Sequence, residues 1–302
     1  MSLKIALIFF SLVCYNLMTD AVRMKTDEAP GAVPASPHQY PWVVRLDVQF
    51  WYGHICGASL LTVRDALNES DMVLTAAHCL KEVENFDYLS LDPRQIIKVV
   101  AGDHNLKVRE GTEQWRSIEE IIYPGNHNHS AEPDIAVIKL SRPVQFTAAV
   151  QPVRIPETAE AISTQANCSF AGWGDIHDET WPDELYHSNA TIWQADTCGE
   201  SWGSSFSSDM TFCATTGGCK HDSGSPLVCS SPAGWTVYGI YSMSDGNPCY
   251  AQQLPGIFTK VSSYSDWIRR KVMSRSALAD SATVEHINRE TASSNSIHAN
   301  DI

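Results

Sequence analysis

The sequence is poor in lysine and arginine and holds no long run of them. Across 302 residues it sets 21 basic side chains against 35 acidic ones, a formal net charge of −14. Nucleic acid is thereby excluded as a partner, because neutralising phosphates needs a concentrated basic face. The same acidic balance disfavours polyanionic cofactors such as heparin. No stretch reaches the roughly eighteen consecutive apolar residues that cross a bilayer, so no membrane association is expected. The nine cysteines include no C-x-x-C pair, and their spacings suit no common zinc module. No repeat of solenoid length is visible. Charged residues make up 19% and apolar residues 43%, a balance too apolar for a disordered chain. What remains is a globular protein with enough chain for one large domain or two small ones.

The first residues point to a compartment. Met1 to Ala21 carries one early cation, Lys4, then an apolar core from Ile5 to Val13, and closes on the small residues of Thr19-Asp20-Ala21. This is the layout of a cleaved signal peptide, and it predicts a secreted, extracellular protein. Cys14 leaves with that segment. Cys56, Cys79, Cys168, Cys198, Cys213, Cys219, Cys229 and Cys249 remain. An even set in a secreted chain reads as disulfides, with the pairing left open by number alone. Sequons begin at Asn68, Asn128, Asn167 and Asn189, each a candidate surface glycan on the secretory route.

Proline and serine cluster between Pro30 and Pro41 as an extended lead-in. From there to Val261 the chain alternates short β-branched or aromatic runs with Gly, Pro, Asn and Asp. Trp42-Val43-Val44-Arg45-Leu46, Ile96-Ile97-Lys98-Val99-Val100, Ile135-Ala136-Val137-Ile138 and Trp235-Thr236-Val237-Tyr238 are examples. Strand-length runs between turn signals predict an all-β body. One helix is expected late: Ser263 and Asp266 have capping-box spacing, and Tyr264, Trp267, Ile268 and Val272 share a face. Residues 273–302 are poor in large apolar side chains and read as a flexible tail. Asn68-Glu69-Ser70-Asp71 reads as a surface insertion. His127-Asn128-His129, with His104 elsewhere, has no carboxylate to complete a metal site and reads as a solvated loop, so no metal and no cofactor is expected.

Acyl transfer to a serine needs a hydroxyl, a base, an acid to hold that base, and donors for the oxyanion. Three separated segments offer these parts. Thr75-Ala76-Ala77-His78-Cys79 presents an imidazole, Asp134-Ile135-Ala136-Val137-Ile138 heads an apolar strand with a carboxylate, and His221-Asp222-Ser223-Gly224-Ser225-Pro226 sets a serine in a tight turn. Each is common chemistry alone. In this order they resemble the chymotrypsin/trypsin family of serine endopeptidases. Pro41-Trp42-Val43-Val44, His54-Ile55-Cys56-Gly57-Ala58-Ser59-Leu60, Ala171-Gly172-Trp173-Gly174 and Pro255-Gly256-Ile257-Phe258-Thr259-Lys260-Val261 match as well.

The resemblance covers about Ala29 to Val272. It implies two packed six-stranded antiparallel β-barrels with a C-terminal helix, a protease domain over 29–272 and a short pro-segment over 22–28. His78 would be the general base, Asp134 would orient it, and Ser223 would be the nucleophile. The backbone amides of His221 and Ser223 would form the oxyanion hole. The implied disulfides are Cys56–Cys79, Cys168–Cys229, Cys198–Cys213 and Cys219–Cys249. Ser242 sits where the family has a serine bonded to the triad aspartate. Gly217, Gly218, Ser242, Ser244 and Gly256 would line a deep, uncharged specificity pocket, and such a pocket favours aromatic or large apolar side chains. Asp245 is expected solvated at its rim. The implied partners are polypeptide substrates, protein protease inhibitors of the serpin type and an activating protease, around a monomer.

Two positions depart from the family pattern. Activation there frees an Ile-Val-Gly-Gly amino terminus whose ammonium pairs with the aspartate before the nucleophile, here Asp222. The aligned segment in this chain is Ala29-Pro30-Gly31-Ala32, preceded by Glu28, with no basic residue at the junction. Replacing isoleucine by alanine would forfeit about 2–5 kcal/mol of burial in an uncollapsed site. His221 stands where the family has glycine; its amide survives, at a strain of about 1–2 kcal/mol where φ must be positive. The intact trio argues for an active endopeptidase. The two departures argue for the alternative, a catalytically silent homologue serving as a binding or adaptor module in a proteolytic cascade.

Overall fold

The computed structural model describes residues 31–48, 53–62, 67–84, 92–125, 133–176, 181–232, 234–246 and 253–272. The expected signal peptide, pro-segment and tail lie outside these residues, as do Ala29, His127, Asn128, His129 and Cys249. Val43–Val48 (β2), Gly53–Leu60 (β3), Glu69–Thr75 (β4), Ile97–Ala101 (β5), Gln114–Ile122 (β6) and Ala136–Gln145 (β7) close into one antiparallel barrel in the order β2-β3-β4-β7-β6-β5. A second barrel is built from Cys168–Gly172 (β8), Tyr186–Ile192 (β9), Thr211–Thr215 (β10), Pro226–Ser231 (β11), Gly234–Met243 (β12) and Gly256–Lys260 (β13). These run β9-β10-β13-β12-β11-β8, and a β8–β9 pairing closes the ring; Val33–Pro34 (β1) adds to β9 from outside. Closure removes the free edges that short strands would otherwise expose. The expected pair of six-stranded barrels is what forms.

The β-branched runs fill the barrels. Leu46, Leu60, Leu74, Ile97, Val137, Ile138 and Leu140 are buried in the first. Phe170, Phe212, Leu227, Tyr241 and Phe258 make a mainly aromatic core in the second. Fully buried Trp173 donates its indole N–H to the His104 carbonyl at 3.1 Å. Short helices, His78–Glu84, Pro93–Ile96 and Ala195–Trp202, sit on the connections, and the chain is helical again over 265–272. No helix among the described residues is long and apolar enough to cross a membrane.

Three disulfides form as the resemblance implies: Cys56–Cys79, Cys168–Cys229 and Cys198–Cys213. The first ties β3 to the helix that begins with His78. Cys219 is also disulfide-bonded.

Three local expectations are corrected. Glu69-Ser70-Asp71 is no insertion: it opens β4, pairing with β7, and Ser70 is buried with its hydroxyl on the Leu61 carbonyl at 2.6 Å. Its polar composition conceals a strand with only alternate side chains inward. The late helix does not use Ser263 as its capping hydroxyl. Val261–Ser263 is a 3₁₀ turn, the Ser263 hydroxyl donates to the Asp209 carbonyl, and Asp266 accepts from Thr158. Asp245 is only partly exposed, because its carboxylate accepts the backbone N–H groups of Gln253 and Leu254 at 2.7 and 3.1 Å. His104, which was named beside the 127–129 loop, is buried, with its ring 6.4 Å from that of His38.

Candidate active site

His78 leaves the buried end of β4 at the start of its helix, and Asp134 precedes β7, so the first barrel supplies both. The Asp134 carboxylate grips His78 twice, taking the backbone N–H at 2.9 Å on Oδ1 and lying 2.8 Å from ring Nδ1 on Oδ2. Second-barrel groups then hold the aspartate. Ser242 donates its hydroxyl to Asp134 Oδ2 at 2.5 Å, and Thr259 donates to the Asp134 carbonyl at 2.8 Å. Burial alone would push the Asp134 carboxyl up, but the His78 and Ser242 hydrogen bonds and the imidazole charge bring it below its ordinary value. Burial pushes the His78 imidazole down, and the Asp134 bond and charge outweigh it, leaving the ring above 6.5. An imidazolium formed here is therefore stabilised.

Ser223 comes from the turn before β11. Its carbonyl accepts the Gly57 N–H at 2.8 Å, which pins the turn to β3 of the other barrel. The approach requires glycine: a Cβ on Gly57 would stand 2.0 Å from Ser225 Oγ. Among the described residues no hydrogen bond joins Ser223 Oγ to His78 Nε2, whose recorded contact is the Cys79 sulfur at 3.9 Å. Such a bond commonly tightens only with substrate bound. The Ser223 N–H makes no hydrogen bond to a described residue.

His221 adopts φ +68°, the left-handed conformation in which a side chain is strained. Nδ1 of its ring lies 3.0 Å from Oδ1 of buried Asp175, and Trp181 packs on the ring at a centroid distance of 4.5 Å. Asp175 is itself tied to the same turn, its N–H donating to the Lys220 carbonyl at 2.9 Å. Sequence reading missed Asp175 and Trp181. The partner lies 46 positions away and no local pattern marks it.

Asp222 is buried and accepts N–H groups from Gly174 at 2.9 Å and Cys219 at 2.8 Å. Burial pushes its carboxyl up to about 7, against those two bonds. It borders a cavity of about 10 Å³, close to the volume of one water, shared with Ala32, Gly172, Gly174, Ser188 and Gly217.

The pocket residues come together differently from expectation. A Cβ on Gly217 would lie 2.7 Å from the Ala32 side chain. Gly218 and Gly256 both face the Tyr241 ring, their Cβ positions 3.0 and 2.8 Å from its Cε2. Ser242 is drawn to Asp134, Ser244 is half-buried, and Met243 is exposed between them. Of the sequon asparagines, Asn68, Asn167 and Asn189 are exposed.

Among the described residues two trios bring possible metal-binding atoms within 4.8 Å. Cys56, His78 and Cys79 are engaged by the disulfide and by Asp134. In the other, Arg45 holds Asp103, and Glu113 accepts the backbone N–H groups of Glu110 and Gly111.

The family profile described as Trypsin matches residues 29–268. The chain is 29% identical to the bovine protein named chymotrypsin-like elastase family member 1 over 280 residues, 89% of this chain and 98% of that one. It is 30% identical to trypsin of Xenopus laevis over 270 residues, 87% and 98% of the two chains. It is 32% identical to chymotrypsin-like elastase family member 3B of Macaca mulatta over 254 residues, 80% and 91%. With two closed barrels and a profile match across most of its length, the chain belongs to the trypsin family of serine proteases.

Proposed function

We propose that this protein is a secreted serine endopeptidase that cleaves polypeptides through an acyl-enzyme formed on Ser223. The observation that carries the reading is the Asp134–His78 contact, 2.8 Å at Nδ1 with the carboxylate secured from the second barrel by Ser242. A carboxylate at Nδ1 keeps that nitrogen protonated and leaves Nε2 as the base. Ser223 Oγ attacks the carbonyl carbon as its proton passes to Nε2. The oxyanion is met by the backbone N–H groups of His221 and Ser223. His78 returns the proton to the departing amine, and water repeats the sequence on the ester. Asp134 remains ionised throughout, in keeping with its lowered pKa.

Secretion rests on the Met1–Ala21 pattern and agrees with a chain rich in disulfides. Activation is read as cleavage before Ala29 by another protease, with the new ammonium pairing with Asp222. Its support is the carboxylate facing a small cavity beside Ala32. Serpin-type inhibitors would then engage the same cleft. The aromatic preference inferred from Gly217, Gly218 and Gly256 loses its basis where the Tyr241 ring stands against two of those glycines.

A second reading, a silent binding module, is favoured by one observation, the side chain carried at the left-handed position 221. The test is to express the secreted chain, sequence its mature amino terminus and treat it with a fluorophosphonate, with Ser223→Ala as control. Serine-dependent labelling of a species that begins at Ala29 is expected. Labelling from another terminus retains the enzyme and removes the Ala29 register. Folded, disulfide-complete protein that stays unlabelled after limited proteolysis removes the catalytic reading and turns the search to a binding partner.

A further inference from the structure

We propose that Tyr241 fills the lower part of the substrate pocket and makes this protease select small side chains, alanine, serine or glycine, on the acyl side of the cleaved bond. The inference rests on the reading of Ser223 as nucleophile. A Cβ placed on Gly218 would lie 2.9 Å from Phe170 Cε1 and 3.0 Å from Tyr241 Cε2; one placed on Gly256 would lie 2.8 Å from that same Tyr241 atom. A single ring edge therefore stands against both of the glycines expected to wall an open slot. Glycine at these positions makes room for the phenol of this chain instead of for a substrate side chain.

The ring has little freedom to withdraw. It is 2% exposed and packs against Phe170 at 5.5 Å and Phe258 at 5.2 Å between centroids, while those two rings meet edge to face at 5.9 Å. Mutually tilted aromatics of this kind fix one another's rotamers. The backbone is held as firmly. Tyr241 N–H donates to the Ser225 carbonyl at 3.0 Å, and the Tyr241 carbonyl accepts the Gly224 N–H at 2.8 Å. Both partners belong to the turn that carries Ser223. The following residue, Ser242, is bonded to Asp134. Moving the Tyr241 backbone would thus disturb the nucleophile turn and the aspartate together, so a large side chain entering the pocket meets a wall that does not yield. A methyl or hydroxymethyl group does not reach that depth.

The experiment uses the mature secreted protein, titrated with fluorophosphonate so that rates refer to labelled sites. Peptide nitroanilides differing only in the residue before the scissile bond (Ala, Val, Leu, Phe) are compared by kcat/KM. Alanine is expected to exceed phenylalanine by at least ~10-fold, the scale on which a filled pocket discriminates. Tyr241→Ala and Tyr241→Val should reverse or level that ratio by ~10- to 100-fold, chiefly through faster cleavage after phenylalanine. Tyr241→Phe, which keeps the ring, should preserve it. Should the truncated variants fail to fold, the wild-type profile and Tyr241→Phe still decide. Cleavage after phenylalanine as fast as after alanine in the wild type, or a ratio unmoved in a labelled Tyr241→Ala protein, overturns the inference. Absent labelling is a separate result: it removes the nucleophile on which the inference depends.

Discussion

A histidine at φ +68° is an expensive choice where glycine would rest without strain, and its surroundings indicate what it does. Relief of strain in His221→Gly, about 1–2 kcal/mol, is about half cancelled by the added freedom of glycine in the unfolded chain, about 0.5–1 kcal/mol. Loss of the Asp175 contact, about 1 kcal/mol, offsets the remainder, so urea unfolding should find the variant within about 1 kcal/mol of the wild type. Because the ring anchors the peptide unit whose N–H would face the oxyanion, kcat should fall ~10-fold with KM nearly constant, short of the ~100-fold or more that follows outright loss of a donor. His221→Asn, which tolerates the left-handed region and can still bond Asp175, should recover part of the kcat. Sequence identified the position as a departure, and the positive φ on which its strain depended is observed. The compensating Asp175 and Trp181 were out of reach, because their contacts are made only after the chain has closed its second barrel. Tyr241 was hidden for a similar reason: in sequence it is one more aromatic of a strand, and only packing turns it toward Gly218 and Gly256.

At the scale of the strand, β2 shows where local reading stops. Val43-Val44-Arg45-Leu46-Asp47-Val48 was legible as a strand from its β-branched residues, yet all six residues are buried, the two charges included. Arg45 bonds Asp103 at 2.6 Å and also Asp47, and its guanidinium lies 5.1 Å from the centre of the Trp115 ring. One cation thus gathers β2, the end of β5 and β6. Burial pushes the Asp103 carboxyl up despite Arg45 beside it, a sign of how poorly this site tolerates a lone carboxylate. Arg45→Ala should therefore cost about 3–5 kcal/mol, seen as a lower denaturant midpoint with unchanged slope. Replacing all three together by Arg45→Met, Asp47→Leu and Asp103→Leu should recover most of that loss, since well-packed apolar side chains avoid the desolvation. The strands themselves were readable from period and composition. Their charged interior was not, because Asp103 lies 58 positions from its arginine.

For the molecule as a whole, pH should act through Asp222. Its carboxyl is displaced from 3.8 up to about 7 by burial. Between those values the folded protein binds more protons than the unfolded chain, so stability falls as pH rises through this window and levels off above it. The contribution is on the order of 4 kcal/mol. Thermal unfolding of the uncleaved protein from pH 4 to 8 should show this decline, and Asp222→Ser should flatten it. Pairing with a newly freed amino terminus would draw the carboxyl down and remove the decline in the cleaved form. Barrel architecture, three of the cysteine pairings and the approach of His78 to Asp134 could all be anticipated from motifs in order, because those motifs fix what must meet. The filling of the space between them could not, since side-chain volume has no linear signature.

The Gly57–Ser223 hydrogen bond, the only one described between β3 and the nucleophile itself, crosses from one barrel to the other. Base and acid ride on one half of the molecule and the serine on the other, so their alignment works as a vernier: a slight slip between two rigid cylinders is read directly as a change in the gap across which a proton must pass.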